Sequence, residues 1–453
     1  MKNKILSDHC HLFEVEPKKT YAIYNALWLR VIFVEANLLP LIHGLQEGKG
    51  KTEALDCLSA NLQDDGKTLL EAMDKEHFLD RDGDLERLSG LQHQTHHLPV
   101  SLMYLIVTQN CNLLCDYCYL AKALCPKVNA DMTKETAKNG IDHFAKLVEL
   151  QGLDKPQIIF YGGEPLLNPE VVEYALEYAT QLIPNIEFMM NSNATLATKE
   201  LAQMLAKYKV RVSVSIDGPK EIHDAHRVDR GGQGSFDDAI KGFNTLKENG
   251  VDVGVSCTIT PSNVDHLTDI IKWLISDLGI TSLGFNLMMM SDGRDSLSVV
   301  EYEQKAAQAL IDCFKITRDA GVYEDRMMRR VKSLSEGTAC INDCGGCGQQ
   351  IVVAPDGKVG VCQAYLETGE NFVDLNESFD PTTDPLWKMW AKRSPFNIPE
   401  CTQCPALSMC GGGCAYNGHQ STGDIMSVDH VHCVHAKKTL DFLLVDLWQK
   451  LNV

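Results

Sequence analysis

Three thiols stand close together at Cys111, Cys115 and Cys118, in the stretch VTQNCNLLCDYCYL. Three thiolates are one short of a closed tetrahedral site. No histidine lies within or just beyond the loop, so a structural zinc ion would lack its fourth protein ligand. A cubane iron-sulfur cluster held by three thiolates keeps one iron open for a non-protein ligand, which accounts for the odd number. A second group of nine cysteines runs from Cys340 to Cys433, through CINDCGGCGQQIVVAPDGKVGVC, CTQCPALSMCGGGC and HCVH. Packing does not explain the spacing C-x2-C-x5-C-x3-C from Cys401 to Cys414, which reads as metal ligation, a zinc ribbon being one form of it. The other five cysteines, Cys10, Cys57, Cys125, Cys257 and Cys313, are scattered and read as small buried hydrophobes.

The elements around the first thiols alternate strand and helix. Strand-like runs cover 101–108, 157–161, 186–191, 210–216, 251–259 and 282–287. Helix-like stretches such as KETAKNGIDHFAKLVEL, PEVVEYALEYATQLI, KELAQMLAKY, FDDAIKGFNTLKENG and VDHLTDIIKWLISDLG lie between them. Six strand-helix repeats predict an α/β fold: a parallel sheet curved as a partial (β/α)6 TIM-like barrel, with ligands at the carboxyl ends of the strands. The first cysteine loop begins at one such end.

Two regions flank the barrel. Residues 1–95 carry strand candidates in HCHLFEVE and TYAIYNALWLRVIFVE and short helix candidates in NLLPLIHGLQEG and TEALDCLSANLQ, a small α+β module joined through the polar LQHQTHH. The barrel is expected over 96–325, a cysteine- and glycine-rich domain held by metal over 326–435, and an amphipathic helix, AKKTLDFLLVDLWQKL, within 436–453.

At 453 residues, with 44% hydrophobic and 23% charged residues, the chain has enough apolar material for several domains and a large core. A formal charge of -19 argues against nucleic acid as a partner, because phosphates must be neutralised by lysine and arginine. The sequence has no signal-peptide-like run at its amino terminus and no membrane-spanning stretch, so no membrane partner and a cytoplasmic location are expected. In that reducing compartment the seventeen cysteines are metal ligands and buried thiols rather than disulfides.

The motif C-x3-C-x2-C after the first barrel strand resembles that of the radical S-adenosylmethionine (radical SAM) enzymes. The resemblance implies that Cys111, Cys115 and Cys118 hold a [4Fe-4S] cluster whose open iron chelates S-adenosylmethionine. One electron then releases methionine and a 5'-deoxyadenosyl radical. Tyr117 matches the aromatic position beside the adenine. FYGGEP, with Gly162, Gly163 and Glu164, stands directly after the second strand, where glycines permit close backbone approach and a carboxylate can receive the ligand's ammonium group. MNSNAT and SVSIDGP end the next two strands, so Asn191, Asn193, Ser215 and Asp217 are candidates for the ribose and carboxylate. Arg227 in HDAHR and Asn286 in GFNL are further rim candidates.

The later cysteines resemble the SPASM extension of the same enzymes, C-x9-15-G-x4-C, a gap, C-x2-C-x5-C-x3-C, a gap, and C. Gly357 and Cys362 fit its G-x4-C part. The resemblance implies two auxiliary [4Fe-4S] clusters, three in all. Cys401, Cys404, Cys410 and Cys433 would hold the outer one. Cys347, Cys362 and Cys414 would hold the inner one with one more thiol from the first segment, where Cys344 and Cys347 both fit the spacing and Cys340 is a further option. With only three thiols there, the open iron would be free for a substrate thiolate.

Such enzymes oxidise peptide or protein side chains. The expected activity is maturation of a ribosomally made, cysteine-containing precursor peptide by a thioether crosslink, with the amino-terminal module, winged-helix-like, taking the leader as an added strand. A flavodoxin- or ferredoxin-type protein would supply single electrons. Carbon-carbon crosslinking and formylglycine formation are the alternatives within the class. Some sulfatase-maturating enzymes carry a catalytic aspartate after the cysteine matching Cys362, whereas this chain has Gln363. A non-catalytic iron-sulfur electron carrier and a zinc-organised binding module are the readings from other classes.

Overall fold

The structure, a computed structural model, describes residues 5–79, 81–120, 130–289 and 298–452; Cys125 lies outside them. The chain divides into two compact units. One comprises Met1–His96, Met327–Cys344 and Arg393–Val453, the other His97–Arg326 and Gly345–Lys392. The segment after residue 326 thus contributes to both.

The first unit contains an antiparallel sheet of β1 (Cys10–Glu16), β2 (Thr20–Asn25) and β3 (Arg30–Glu35), in that order. TYAIYNALWLRVIFVE reads as a single strand, but it folds as a hairpin. The Asn25 carboxamide oxygen accepts from Leu27 N (3.1 Å) and Trp28 N (3.3 Å), its nitrogen donates to the His77 carbonyl (2.8 Å), and Leu29 takes a left-handed φ of 54°. The apolar turn ALWL hides this break from a hydrophobicity pattern. Side chains of the middle strand alternate between two cores, as the strand period of two requires. Tyr21 and Ile23 join Leu41, Ile42, Leu45, Met73 and Phe78; Ala22 and Tyr24 join Leu407, Met409, Leu440 and the thiols of Cys401 and Cys410.

Helices Leu39–Gln46, Lys51–Leu55, Gln63–Lys75 and Arg81–Gln94 complete the α+β part. LQHQTHH is not an open junction: Leu91–Gln94 end the last of these helices and Leu91 is buried. The final helix, His430–Leu451, starts at its cap Asp429, earlier than its apolar pattern suggests, and places the Trp448 ring 5.1 Å from Phe33.

The second unit holds a ten-stranded sheet. Strands β4 (Leu102–Thr108), β5 (Gln157–Gly162), β6 (Glu187–Ser192), β7 (Arg211–Ser215), β8 (Asp252–Ile259) and β9 (Ser282–Leu287) pair in parallel in sequence order, each within a residue or two of its predicted span. The barrel stays open. β10 (Tyr323–Glu324) pairs with β9, while β11 (Gln350–Val353) pairs in parallel with β4, and β12 (Lys358–Gly360) and β13 (Phe372–Asp374) follow antiparallel. Cys347 and Cys362 bracket β11 and β12.

Two of the intervening helices begin at side-chain caps, Thr136 N donating to Thr133 and Leu201 N to Thr198, and Gly152 ends the first at a φ of 62°. On one sheet face Val212, Val214, Val255, Cys257 and Phe285 are buried. The other face carries Asn191, Ser213, Ser215, Ser256 and Asn286, all partly accessible. Asn286 donates to Ser256 Oγ (2.8 Å), so this polar row is internally bonded.

The hairpin analysis gives a first expectation. Asn25→Ala should lower the unfolding free energy by an amount on the order of 1–3 kcal/mol, seen as a lower midpoint of chemical denaturation, because two backbone donors and a carbonyl lose their partner. An unchanged midpoint would contradict it.

Candidate active site and thiol centres

The loop bearing Cys111, Cys115 and Cys118 leaves β4 and is clamped from two sides. On one side, Gly163 N donates to Thr108 O and Glu164 N to Asn110 O, both at 2.9 Å. A Cβ on Gly162 would lie 2.0 Å from Thr108 O, and one on Gly163 2.0 Å from Asn110 O. The paired glycines are therefore required by the chain's own cysteine loop. On the other side, Leu114 N donates to Val228 O (2.7 Å), Asp116 N to His226 O (3.3 Å) and Arg230 Nε to Cys111 O (3.1 Å).

Glu164 is buried and ties three strand ends together. One carboxylate oxygen accepts from Leu166 N (3.0 Å) and Ser192 Oγ (2.7 Å), the other from Asn193 N (2.7 Å). Burial pushes its carboxyl above the usual range, and these three donors oppose the shift. Asn193 then reaches the thiols: its Nδ2 lies 3.0 Å from Asn112 Oδ1 and 3.8 Å from Cys111 Sγ.

Asp217 is fully buried and its oxygens are occupied. Arg227 donates through Nε (2.8 Å) and Nη2 (3.1 Å), Thr258 N donates at 2.9 Å, and the Tyr117 hydroxyl adds a further hydrogen bond. Arg227 also stands 5.4 Å from the centre of the Tyr117 ring. Burial alone would raise the Asp217 carboxyl, but the guanidinium and the donors hold it below the usual range. Sequence reading assigned Tyr117, Asp217 and Arg227 to the ligand; the structure joins them to one another.

Of the remaining candidates, Asn191, Ser215 and Asn286 share the accessible sheet face, and Asn193 is the one bonded toward a thiol. Two groupings escaped the sequence. His226 Nδ1 faces the Asp116 carboxylate (2.9 Å) and its Nε2 the Ser262 hydroxyl (2.5 Å), bracing the loop between Cys115 and Tyr117. Tyr119 and Tyr161 share a hydroxyl hydrogen bond (2.8 Å), and charges on Cys118 and Cys362 reach both rings. An aromatic residue directly after Cys118 was the available signal for the second.

The thiols are neighbours by their charges. Burial pushes Cys111 up to about 12, with Glu164, Cys115 and Cys118 adding to the shift, and Cys115 up to about 11, with Arg227 opposing. In the first unit burial raises Cys401 to about 11 and Cys433 to about 12, and Cys404 contributes to both. Cys410 is raised by burial and by Cys433. Cys414 rises to about 12 through burial, Asp429 and Cys344. The expected inner set is thus divided, with Cys344 and Cys414 in the first unit and Cys347 and Cys362 in the second. Among the described residues no three His, Cys, Asp or Glu side chains are gathered closely enough to share a single metal ion.

One cation shows what the outer thiols suit. Arg393 is fully buried and, among the described residues, donates to carbonyls, those of Ile425 (2.5 Å), Gly413 (3.0 Å), Cys414 (3.3 Å) and Ser427 (3.1 Å). A buried guanidinium without a carboxylate calls for another anion. Its charge bears on Cys401 and Cys414, so thiolates carrying an anionic cluster supply the compensation that neutral thiols do not.

Residues 105–274 match the radical SAM superfamily. This stretch is a radical SAM domain. The cysteine-rich extension lies beyond the matched residues. The uncharacterized protein MJ0907 of Methanocaldococcus jannaschii is 35% identical over 188 residues, covering 41% of this chain and 62% of that one. The chain therefore spans less than two thirds of that relative. The radical SAM cyclopropyl synthase TigE of Paramaledivibacter caminithermalis is 24% identical over 353 residues, 74% of this chain and 72% of TigE.

Two solved structures share the fold. Native anSMEcpe with bound AdoMet matches with a TM-score of 0.65 at 22% identity, over 78% of this chain and 99% of its own. Streptococcus suis SuiB bound to precursor peptide SuiA matches with a TM-score of 0.54 at 15% identity, over 94% of this chain and 99% of SuiB.

For the radical SAM domain, Asp217→Asn should destabilise by about 3–5 kcal/mol, since it leaves Arg227 buried without an anion. Because the folded carboxyl is held below its ordinary value of about 3.9, the Asp217 contribution is present above that pH and is lost as pH falls through the depressed value. Denaturation at pH 7 and pH 3 checks this: the gap between wild type and variant should narrow at the lower pH. An equal gap at both would refute it.

Proposed function

We propose that the chain is a radical SAM peptide maturase that installs a crosslink, a cysteine thioether, in a ribosomally made precursor. The observation that carries the reading is the three-thiol loop clamped at the carboxyl ends of the open barrel's strands, with a second set of buried thiols in the SPASM-type extension. When bound at the loop, a [4Fe-4S] cluster supplies one electron to S-adenosylmethionine, and the resulting 5'-deoxyadenosyl radical removes a hydrogen atom from the peptide.

The protein's own residues do the positioning. The Gly162–Gly163 backbone and the 226–230 segment fix the loop, Asn193 directs an amide N–H toward Cys111, and the Asn191–Ser215–Asn286 face offers hydrogen bonds to the ligand and substrate. Cys401, Cys404, Cys410 and Cys433 would hold the outer auxiliary cluster. Cys344, Cys347, Cys362 and Cys414 are the candidates for the inner one, with Cys340 left over beside Arg330 (3.7 Å). These clusters would take the second electron of the oxidation, and an external flavodoxin- or ferredoxin-type protein would feed the first site.

A peptide substrate is supported by the solved complex of SuiB with its precursor SuiA. The free edges of the three-stranded sheet suit addition of a leader strand. Gln363 bears against formylglycine formation by an aspartate base: its carboxamide accepts from Gln350 (3.4 Å) and cannot take up a proton as a carboxylate does. Carbon-carbon bond formation is the second reading, favoured by the likeness to TigE, a cyclopropyl synthase by name. Among the described residues no helix is long and apolar enough to cross a membrane.

Replacing Cys111, Cys115 and Cys118 by alanine should abolish 5'-deoxyadenosine formation in the anaerobically reconstituted, reduced enzyme, as measured by chromatography. Persistent formation would refute their role. Co-expression with a cysteine-containing precursor encoded beside the gene should yield a peptide lighter by two hydrogens per crosslink. An unchanged mass would count against crosslinking.

A further inference from the structure

The middle strand of the amino-terminal sheet buries one polar group in the core that contains carboxyl-terminal thiols. Tyr24 is fully buried within the core that also contains Cys401 and Cys410, with Cys404 packed against its edge. Among the described residues its hydroxyl has no hydrogen-bond partner. The Phe13 ring meets it edge-on at 6.3 Å, and burial, with Cys404 adding to it, raises the phenol above its usual range. Leaving a hydroxyl dry and unpaired in such a core is destabilising, a cost that an apolar phenylalanine of nearly the same shape would avoid.

A thiolate is the partner that chemistry offers. The sulfur of a neutral cysteine is a weak acceptor, whereas a sulfur ligating iron carries negative charge and accepts hydrogen bonds. We propose that Tyr24 is a tuning residue for the outer auxiliary cluster, its hydroxyl donating a hydrogen bond to the cluster's sulfur at Cys404. The inference rests on the reading of Cys401, Cys404, Cys410 and Cys433 as ligands. It adds a function for the amino-terminal sheet: the strand flanked by both free edges is also in the cluster's immediate surroundings. A donor to sulfur stabilises the reduced, more negative state and so raises the reduction potential. The hydroxyl needs neither ionisation nor a change of fold to act.

The test uses the full chain, reconstituted anaerobically with iron and sulfide, as wild type, Tyr24→Phe, Tyr21→Phe and Cys404→Ala. Tyr21 lies on the same strand with its hydroxyl bonded to Glu14, so it controls for the loss of a phenol. Tyr24→Phe should keep the wild-type iron content, and in a redox titration followed by electron paramagnetic resonance one cluster should reduce at lower potential while the others stay put. Tyr21→Phe should match the wild type.

Stability gives a second readout. Without iron, Tyr24→Phe should melt no lower than the wild type, because the hydroxyl has no partner to lose; with iron it should melt lower. Unmoved potentials at full iron content, or equal destabilisation with and without iron, would overturn the tuning role while leaving the cluster in place. Should Cys404→Ala bind as much iron as the wild type, the ligand assignment itself fails and the inference falls with it.

Discussion

A carbonyl oxygen fixes where the three thiols stand. Asn110 O fills the space that a side chain at residue 163 would need, and Glu164 N donates to it. The cysteine loop is thereby attached to the end of the second barrel strand as well as the first. Glu164 carries the attachment on to the third strand through Ser192 and Asn193, and Asn193 turns back to Cys111. The loop has no regular structure of its own, so its geometry is borrowed from three strand ends. Any Cβ at 163 would displace it at the point where the thiols begin.

Charge is organised differently at the two centres. Beside the first, Arg227 and Asp217 form a pair closed by Tyr117 and Thr258, while the buried Glu164 carboxylate is held by neutral donors. Beside the carboxyl-terminal thiols, Arg330 is paired with Asp343 and approached by His432 (2.9 Å), while the hydrogen bonds of Arg393 among the described residues go to carbonyls. Asp429 ties the latter together: it caps the helix that carries Cys433 and accepts from Cys414 N (3.1 Å).

The parallel strands were legible because each is a short apolar run with turn signals after it, and the first thiols were legible from spacing alone. Glycine-glycine at 162–163 announced a close approach, but only the fold shows that the approaching atoms belong to the chain itself. The β2–β3 hairpin was hidden by its apolar turn, and the helix Gln63–Lys75 by its polar first turn. The partnership of Asp116 with Ser262 through His226 spans 146 positions and leaves no pattern. Arg393 carries no signal in the sequence. Residues that act by type and spacing were found; those that act through a distant partner were not.

We propose that the cluster at Cys111, Cys115 and Cys118 offers an open iron to the amino and carboxylate groups of a sulfonium ligand. The direct measurement is electron paramagnetic resonance of the reduced, reconstituted protein before and after adding S-adenosylmethionine. One of the cluster signals should change its g-values on addition, and this change should be absent when Cys111, Cys115 and Cys118 are replaced. Signals indifferent to the ligand in the wild-type protein would contradict the account.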